Sequence, residues 1–277
     1  MPKGMFVDTS VCIGCKACQV ACKEWNELDG EPDHFAEVDG KLKATNFTGN
    51  SYDNTGSLSA TDWRHVRFIE NIAPDRSSAG WYMMSDSCKH CNQAGCLEVC
   101  PTHALIRTDL GNVVVQQDVC NGCRACIPAC PFGVISYNKK TGRVNKCTLC
   151  DDRIHNGLET ACAKACPTDS IVFGEVDDLR TRARARLQTL KSQGYPNPQL
   201  YGDNTDMLGG LNVFYLLMDE PEIYGQPKAP QLPQKNLIPS SLFSIGAAII
   251  LAISGLVAFR NRGAGLQAAE AAPAKEA

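Results

Sequence analysis

Apolar residues in the first 174 positions come in short runs rather than helical repeats. Ala104 to Arg107 and Val113-Val114-Val115 flank a Gly111-Asn112 turn, the pattern of a tight hairpin. Two further pairs of segments echo each other: Phe6-Val7-Asp8 with Val114-Val115-Gln116, and Ile171-Val172-Phe173 with Val134-Ile135-Ser136, an internal repeat. Residues 26–84 have few periodic apolar positions. They are rich in Asp, Gly, Asn and Ser and carry an aromatic and basic cluster at Trp63, Arg64, Arg67 and Phe68. Segments this long and irregular are more often functional or docked than idle, so 26–84 reads as an insertion that meets a partner protein.

The pattern changes after residue 174. Residues 175–193 have acids at the start, Leu179, Leu187 and Leu190 partly on one face, bases following, and Gly194 and Pro196 as a stop, which predicts a helix with a solvated basic face. A linker containing Pro227, Pro230, Pro233 and Pro239 then leads to 24 uncharged residues, Asn236 to Phe259, and the eighteen from Leu242 onward are almost continuously apolar. Eighteen helical residues reach about 27 Å, close to the ~30 Å of a bilayer core, so 237–260 is predicted to be a single transmembrane helix in contact with lipid. Arg260 and Arg262 flank its end while Lys228 and Lys235 precede it, a slight lean towards a cytoplasmic C-terminus. The alanine-rich residues 261–277 are expected to form a disordered tail.

Composition adds one anomaly. A chain of 277 residues, 44% hydrophobic and 21% charged, is an ordinary globular protein of about two domains, not a disordered, collagenous or coiled-coil one. Its net charge of −3 argues against a nucleic-acid partner held by overall basicity. Sixteen cysteines are the exception, and no apolar secretory segment precedes the first of them, so ligands are expected rather than disulfides.

The cysteines form four runs with none spare: Cys12, Cys15, Cys18, Cys22; Cys88, Cys91, Cys96, Cys100; Cys120, Cys123, Cys126, Cys130; and Cys147, Cys150, Cys162, Cys166. The first and third read C-x2-C-x2-C-x3-C, the bacterial ferredoxin run, while the second and fourth each stretch one gap. Proline follows the second, third and fourth runs as Pro101, Pro131 and Pro167; Lys23 follows the first. Two-residue gaps wrap three thiolates around one face of an iron–sulfur cubane, and in two-cluster ferredoxins the fourth ligand is the last cysteine of the partner run. Runs two and three pair across the short hairpin, so runs one and four must pair around them.

The expected ligand sets are therefore Cys12, Cys15, Cys18 with Cys166 (first set); Cys147, Cys150, Cys162 with Cys22 (second set); Cys88, Cys91, Cys96 with Cys130 (third set); and Cys120, Cys123, Cys126 with Cys100 (fourth set). That is four [4Fe-4S] clusters, with iron as the metal. Structural zinc fits less well, because zinc sites take two CxxC knuckles apart, and only the fourth run looks so. The fold class is α+β: two nested bacterial-ferredoxin-like modules with an insertion and a C-terminal transmembrane helix. The modules are 1–25 plus 141–175, and 85–140, with 26–84 as insertion, 176–236 as helix and linker, 237–260 as the span and 261–277 as the tail.

Sixteen thiolates against four cores of about +2 add about −8, taking the loaded chain near −11. Lys16, Lys23, Lys89, Arg124, Lys146 and Lys164 lie in or beside the loops and are candidate cations for tuning cluster potentials. His90 reads as a loop residue rather than a ligand, since the quartets are complete. No phosphate loop, nucleophile elbow, Rossmann fingerprint or metalloprotease spacing occurs, so the chemistry expected is one-electron transfer with no catalytic residue.

The chain closely resembles the iron–sulfur (beta) subunits of membrane-bound respiratory formate dehydrogenases, from about residue 5 to about residue 260. The likeness rests on DTSVCIGCKACQVACKEWN at 8–26, CNGCRACIPACPFGV at 120–134, KCTLCDDRI at 146–154, GGLNVFYLL at 209–217, PEIYGQPKAP at 221–230 and the terminal helix. Nitrate-reductase-like relatives replace one cysteine of the third quartet with tryptophan; Cys123 keeps it complete here. The resemblance implies a molybdenum or tungsten pterin subunit that oxidises formate and a membrane cytochrome b subunit that reduces quinone, with this chain passing electrons between them. It also implies that runs one and four face the catalytic subunit and runs two and three the haem. The family's globular part usually lies outside the cytoplasmic membrane, which implies export beside a partner bearing a twin-arginine signal. The alternative is the equivalent subunit of a membrane-bound hydrogenase or another molybdopterin oxidoreductase.

Overall fold

A computed structural model describes residues 1–30, 35–38, 41–44, 52–53, 55–76 and 79–270. Residues 1–232 form one compact unit and a second begins at Pro233.

Strand β1 (Lys3–Asp8) is apolar on both faces, with Met5, Phe6 and Val7 all buried, because it is an interior strand. A 3-10 turn at Thr9–Val11, capped by the Asp8 carboxylate accepting from the Ser10 N–H at 2.9 Å, aims the chain into the first cysteine loop. Helix α1 (Ala17–Trp25) starts inside that run, so Cys18 and Cys22 fall one turn apart on one face. Within the insertion, β2 (Phe35–Val38) pairs with β3 (Lys41–Ala44), and β4 (Arg64–Ile72) pairs antiparallel with β5 (Ala79–Ser87) over nine residues each. The described part of the insertion is therefore not the irregular stretch its sequence suggests: cross-strand bonds order β4 and β5, and Val66 and Met84 bury into the main core. Arg64, expected in a partner-facing cluster, is buried too, at 1% exposure. Residues 31–34, 39–40, 45–51, 54 and 77–78 of the insertion, and 271–277 of the tail, lie outside the described residues.

Past β5 come α2 (Gly95–Glu98), β6 (Leu105–Arg107) and β7 (Val113–Val115); the last two are the expected antiparallel hairpin. A second hairpin, β8 (Ser136–Asn138) with β9 (Arg143–Asn145), carries the expected module boundary at 140/141 in its own turn, so that boundary is not a structural seam. Ala104, Leu105, Val113, Val134, Ile135 and Val144 form the core of this part. Helices α3 (Asp151–His155) and α4 (Ala161–Lys164) follow, then β10 (Ile171–Glu175) and α5 (Val176–Ser192), the expected helix, which buries Leu179, Ala183 and Leu190. Its basic face is not wholly solvated, because Arg186 reaches the Asp8 carboxylate at 2.9 Å.

Residues 199–217, expected within a linker, instead complete the main sheet with β11 (Gln199–Tyr201) and β12 (Val213–Leu217). The strand order is β10-β1-β12-β11, with β1 antiparallel to β10 and parallel to β12. All five β12 residues are fully buried and Phe214 stacks on Phe6 at 5.6 Å, so the Val-Phe-Tyr-Leu-Leu run is core rather than connection. The other unit is helix α6 (Leu237–Glu270), whose Ser240–Arg262 stretch is long and apolar enough to cross a membrane. It runs through residues 261–270 of the expected tail because alanine-rich sequence favours helix.

Burying five large side chains of β12 contributes roughly 7–15 kcal/mol, comparable with the whole stability of a domain, about 5–15 kcal/mol. A protein ended after Leu232 should resist limited proteolysis like the full chain, whereas one ended after Gly194 should be digested throughout.

Candidate iron–sulfur centres

The cysteine loops repeat in backbone as well as in sequence. Gly14 and Lys16 have φ of 65° and 60°, and their counterparts Gly122 and Arg124 have 70° and 66°, so both loops turn through the same pair of left-handed residues. The three Cys-Pro corners also agree: His103, Gly133 and Asp169, each three residues past the cysteine, are left-handed at 53°, 63° and 51°. Run one lacks the proline, and α1 continues past Cys22 instead.

Pairing of β1 with β10 brings the first run beside the end of the fourth, with the Asp8 N–H donating to the Ser170 carbonyl at 2.7 Å. A cavity there is lined by Cys12, Cys15, Cys18 and Cys166, all four thiols of the expected first set. Burial raises the Cys12 thiol, against bonds from Gly14 and Ser170, and neighbouring Cys166 and Cys15 raise it further. Burial also pushes Cys22 well above the ordinary value, with the thiols of Cys147, Cys162 and Cys150 adding to it. Cys91 is raised in the same way by burial and by Cys88, Cys130 and Cys96. Cys126 is pushed up to about 11 by burial, with Cys100, Cys120 and Cys123 as neighbours. In each case the fourth thiol comes from a different run.

Some thiols also feel a neighbour from another expected set. Cys18 neighbours Cys162, Cys147 neighbours Cys88, and Cys96 neighbours Cys126. These electrostatic neighbours link first set to second, second to third and third to fourth in a row. Cys15 and Cys123, from the two end sets, are the exposed cysteines; the other fourteen are buried or half-buried.

Buried thiols pushed towards pKa 11 to 12, as at Cys150, Cys147 and Cys96, ionise only beside a compensating positive charge. A polynuclear iron core supplies that charge and takes one thiolate per iron, and all sixteen cysteines are unpaired, so the donor set fits. Among the described residues no three His, Cys, Asp or Glu side chains gather tightly enough for a single ion.

Of the expected cations, Lys89 and Lys146 are buried. Lys146 donates to the Val113 and Cys147 carbonyls and offsets the burial that raises Cys96. Lys89 is held by Asp86, the Ser87 carbonyl and Tyr215. Lys16 pairs with Asp53 and Lys23 with Asp62 at 3.2 and 3.3 Å, and Arg124 lies over the Tyr137 ring. Lys164 is exposed and pairs with Glu159. His90 is buried and accepts from the Val113 N–H at 3.0 Å through Nδ1, a loop-ordering role. Arg107, whose guanidinium donates to the Cys91 and Asn92 carbonyls, was not legible as a loop clamp, because nothing in a strand sequence reveals where a long side chain ends.

Two families described as 4Fe-4S dicluster domains match residues 11–104 and 79–176. The protein is 40% identical over 258 residues to the nitrate-inducible formate dehydrogenase iron-sulfur subunit of Escherichia coli, spanning 91% of this chain and 82% of that protein. It is 43% identical over 231 residues to the formate dehydrogenase iron-sulfur subunit of Haemophilus influenzae, 82% of this chain and 69% of the other. With one polypeptide of the anaerobic dimethyl sulfoxide reductase of Escherichia coli it shares 35% over 181 residues, 65% and 76% of the two lengths.

A Cβ at Gly122 would sit 2.1 Å from the Gly142 carbonyl oxygen, in a left-handed turn, whereas one at Gly133 meets nothing within 4 Å. Gly122→Ala should therefore lower iron per chain, while Gly133→Ala, costing about 1–2 kcal/mol of backbone strain, should keep full iron. Iron per chain by elemental analysis checks both.

Proposed function

Because this protein belongs to the family of iron–sulfur subunits that includes those of formate dehydrogenases and dimethyl sulfoxide reductases, we propose that it is the electron-transfer subunit of a formate dehydrogenase complex, with no catalytic site of its own. Its sixteen cysteines hold four [4Fe-4S] clusters: Cys12, Cys15, Cys18 and Cys166; Cys22, Cys147, Cys150 and Cys162; Cys88, Cys91, Cys96 and Cys130; and Cys100, Cys120, Cys123 and Cys126. Bound there, the clusters supply one-electron transfer. The observation that carries this reading is the pairing of β1 with β10, which lines one cavity with Cys12, Cys15, Cys18 and Cys166; the row of neighbouring thiols then has an exposed cysteine in each end set, Cys15 and Cys123.

The protein's own residues fix spacing and exclude water along that row, since its inner thiols are buried or half-buried. Around Cys15 the surface is apolar: Ile13 and Trp81 are exposed, and Phe68 lies against Gly14. That face suits a molybdopterin (molybdenum or tungsten) catalytic subunit that oxidises formate, and the insertion hairpin would form part of the contact. The Cys123 end then passes electrons towards a membrane cytochrome b and quinone. Helix α6 anchors the subunit in lipid, and Arg260 and Arg262 just past its apolar stretch favour a cytoplasmic C-terminus, with residues 1–232 on the periplasmic side. A second reading keeps the row and changes the substrate; the likeness to a dimethyl sulfoxide reductase polypeptide favours it.

Anaerobic purification of the tagged protein from its native membrane should yield about sixteen irons per chain, a brown colour bleached by dithionite, and a large formate-oxidising partner. Zinc without colour contradicts the cluster reading. Full iron with a partner that does not act on formate contradicts only the substrate.

A further inference from the structure

The insertion hairpin delivers a cation to a place that no cysteine loop reaches. Arg64, the first residue of β4, pairs in register with Ser87 and is 1% exposed. Its Nη1 donates to Ser85 Oγ at 2.9 Å, and that oxygen is 3.2 Å from Cys18 Sγ. Its Nη2 donates to Ser87 Oγ at 3.1 Å and lies 3.7 Å from Met5 Sδ, which in turn is 3.6 Å from Cys162 Sγ. The guanidinium thus stands one side chain away from a thiol of the first set and one side chain away from a thiol of the second. Among the described residues Nε–H has no partner, and no carboxylate pairs with this arginine.

A buried cation without an anionic partner is strongly disfavoured. The anions within reach here are the thiolates themselves. Burial opposes the charged guanidinium, yet Cys162, Cys18, Cys147 and Cys22 outweigh it and hold Arg64 above its ordinary value. Arginine stays protonated under all working conditions, so this charge is permanent.

Resting on the four-cluster reading above, we propose that Arg64 is a positioning residue shared by the first two clusters, which raises both of their reduction potentials together. Each electron that arrives makes a thiolate-bound core more negative, and a fixed positive charge between two such cores favours the reduced form of each. The third set has its own buried cation, Lys146 beside Cys96, and Arg64 touches none of its thiols, although its charge is felt at His90 in the loop of that set.

The test uses the membrane complex purified anaerobically, with iron counted first and midpoint potentials then read by EPR-monitored redox titration. Signals are assigned to the first two clusters by their alteration in Cys15→Ser and Cys150→Ser. Arg64→Met should keep full iron and lower those two potentials by more than the other two. Arg64→Lys, which keeps the charge but not the fork, should restore most of the loss; if Arg64→Met fails to load iron, Arg64→Gln, which removes the charge but keeps a hydrogen-bonding amide, decides the matter by the same two potentials. Unchanged potentials at full iron, or an equal shift of all four, would overturn the role of Arg64. A wild-type protein short of four clusters' iron would instead overturn the cluster reading on which it rests.

Discussion

A loop with two-residue gaps can wrap three thiolates around a cubane, and the fourth has to come from elsewhere in the chain. That requirement accounts for the architecture. Cys12 and Cys166 are brought together by a sheet in which β1 lies against β10, strands that begin and end the nested repeat. The sheet is closed on its other side by β12 and β11, from a part of the sequence with no cysteine at all. Helix α1 couples the first two sets directly, since Cys18 neighbours Cys12 of the first set, Cys22, one turn on, neighbours Cys147 and Cys150 of the second, and both neighbour Cys162. A shift in the β1 and β10 register would therefore be felt at the first two sets at once.

Electrostatics sets the second demand. Burying many thiolates in a small volume calls for permanent cations that are themselves buried, and such cations must be held by hydrogen bonds to remain ordered. The protein meets this from outside the cysteine loops as well as within them. Lys146 sits on carbonyls of its own neighbourhood, Lys89 is locked by Asp86 and Tyr215, and Arg64 arrives from the insertion. Against the burial that would raise it, Lys89 and then Arg67 hold the Asp86 carboxyl below its ordinary range, so this network stays charged. The insertion is thus part of the redox core on its inner face, while Trp81 and Tyr52 on its outer face remain exposed.

The iron–sulfur character of the chain was legible in the sequence because cysteine spacing records cluster geometry. The β6 and β7 hairpin, helix α5 and the apolar helix also followed from local pattern. Strand β12 did not: five apolar residues between Leu211-Asn212 and Met218-Asp219 are too short to announce a core strand, and only pairing with β1 makes them one. The β4 and β5 hairpin escaped because charged residues fall on both of its faces. Arg64 was misread for the same reason, since a charge in a sequence reads as exposed until its counter-charges, distant cysteines, are brought beside it. Helix α6 passing residue 260 reflects alanine's helix propensity, which outweighed the low complexity of the segment.

The interlocking of the runs is the claim on which the rest stands, and diffraction at the iron absorption edge from crystals of the anaerobic complex tests it directly. The account predicts four iron peaks in this subunit in a single row, with Cys166 on the core of Cys12, Cys15 and Cys18, and Cys22 on the core of Cys147, Cys150 and Cys162. A core held by Cys12, Cys15, Cys18 and Cys22 alone would contradict it.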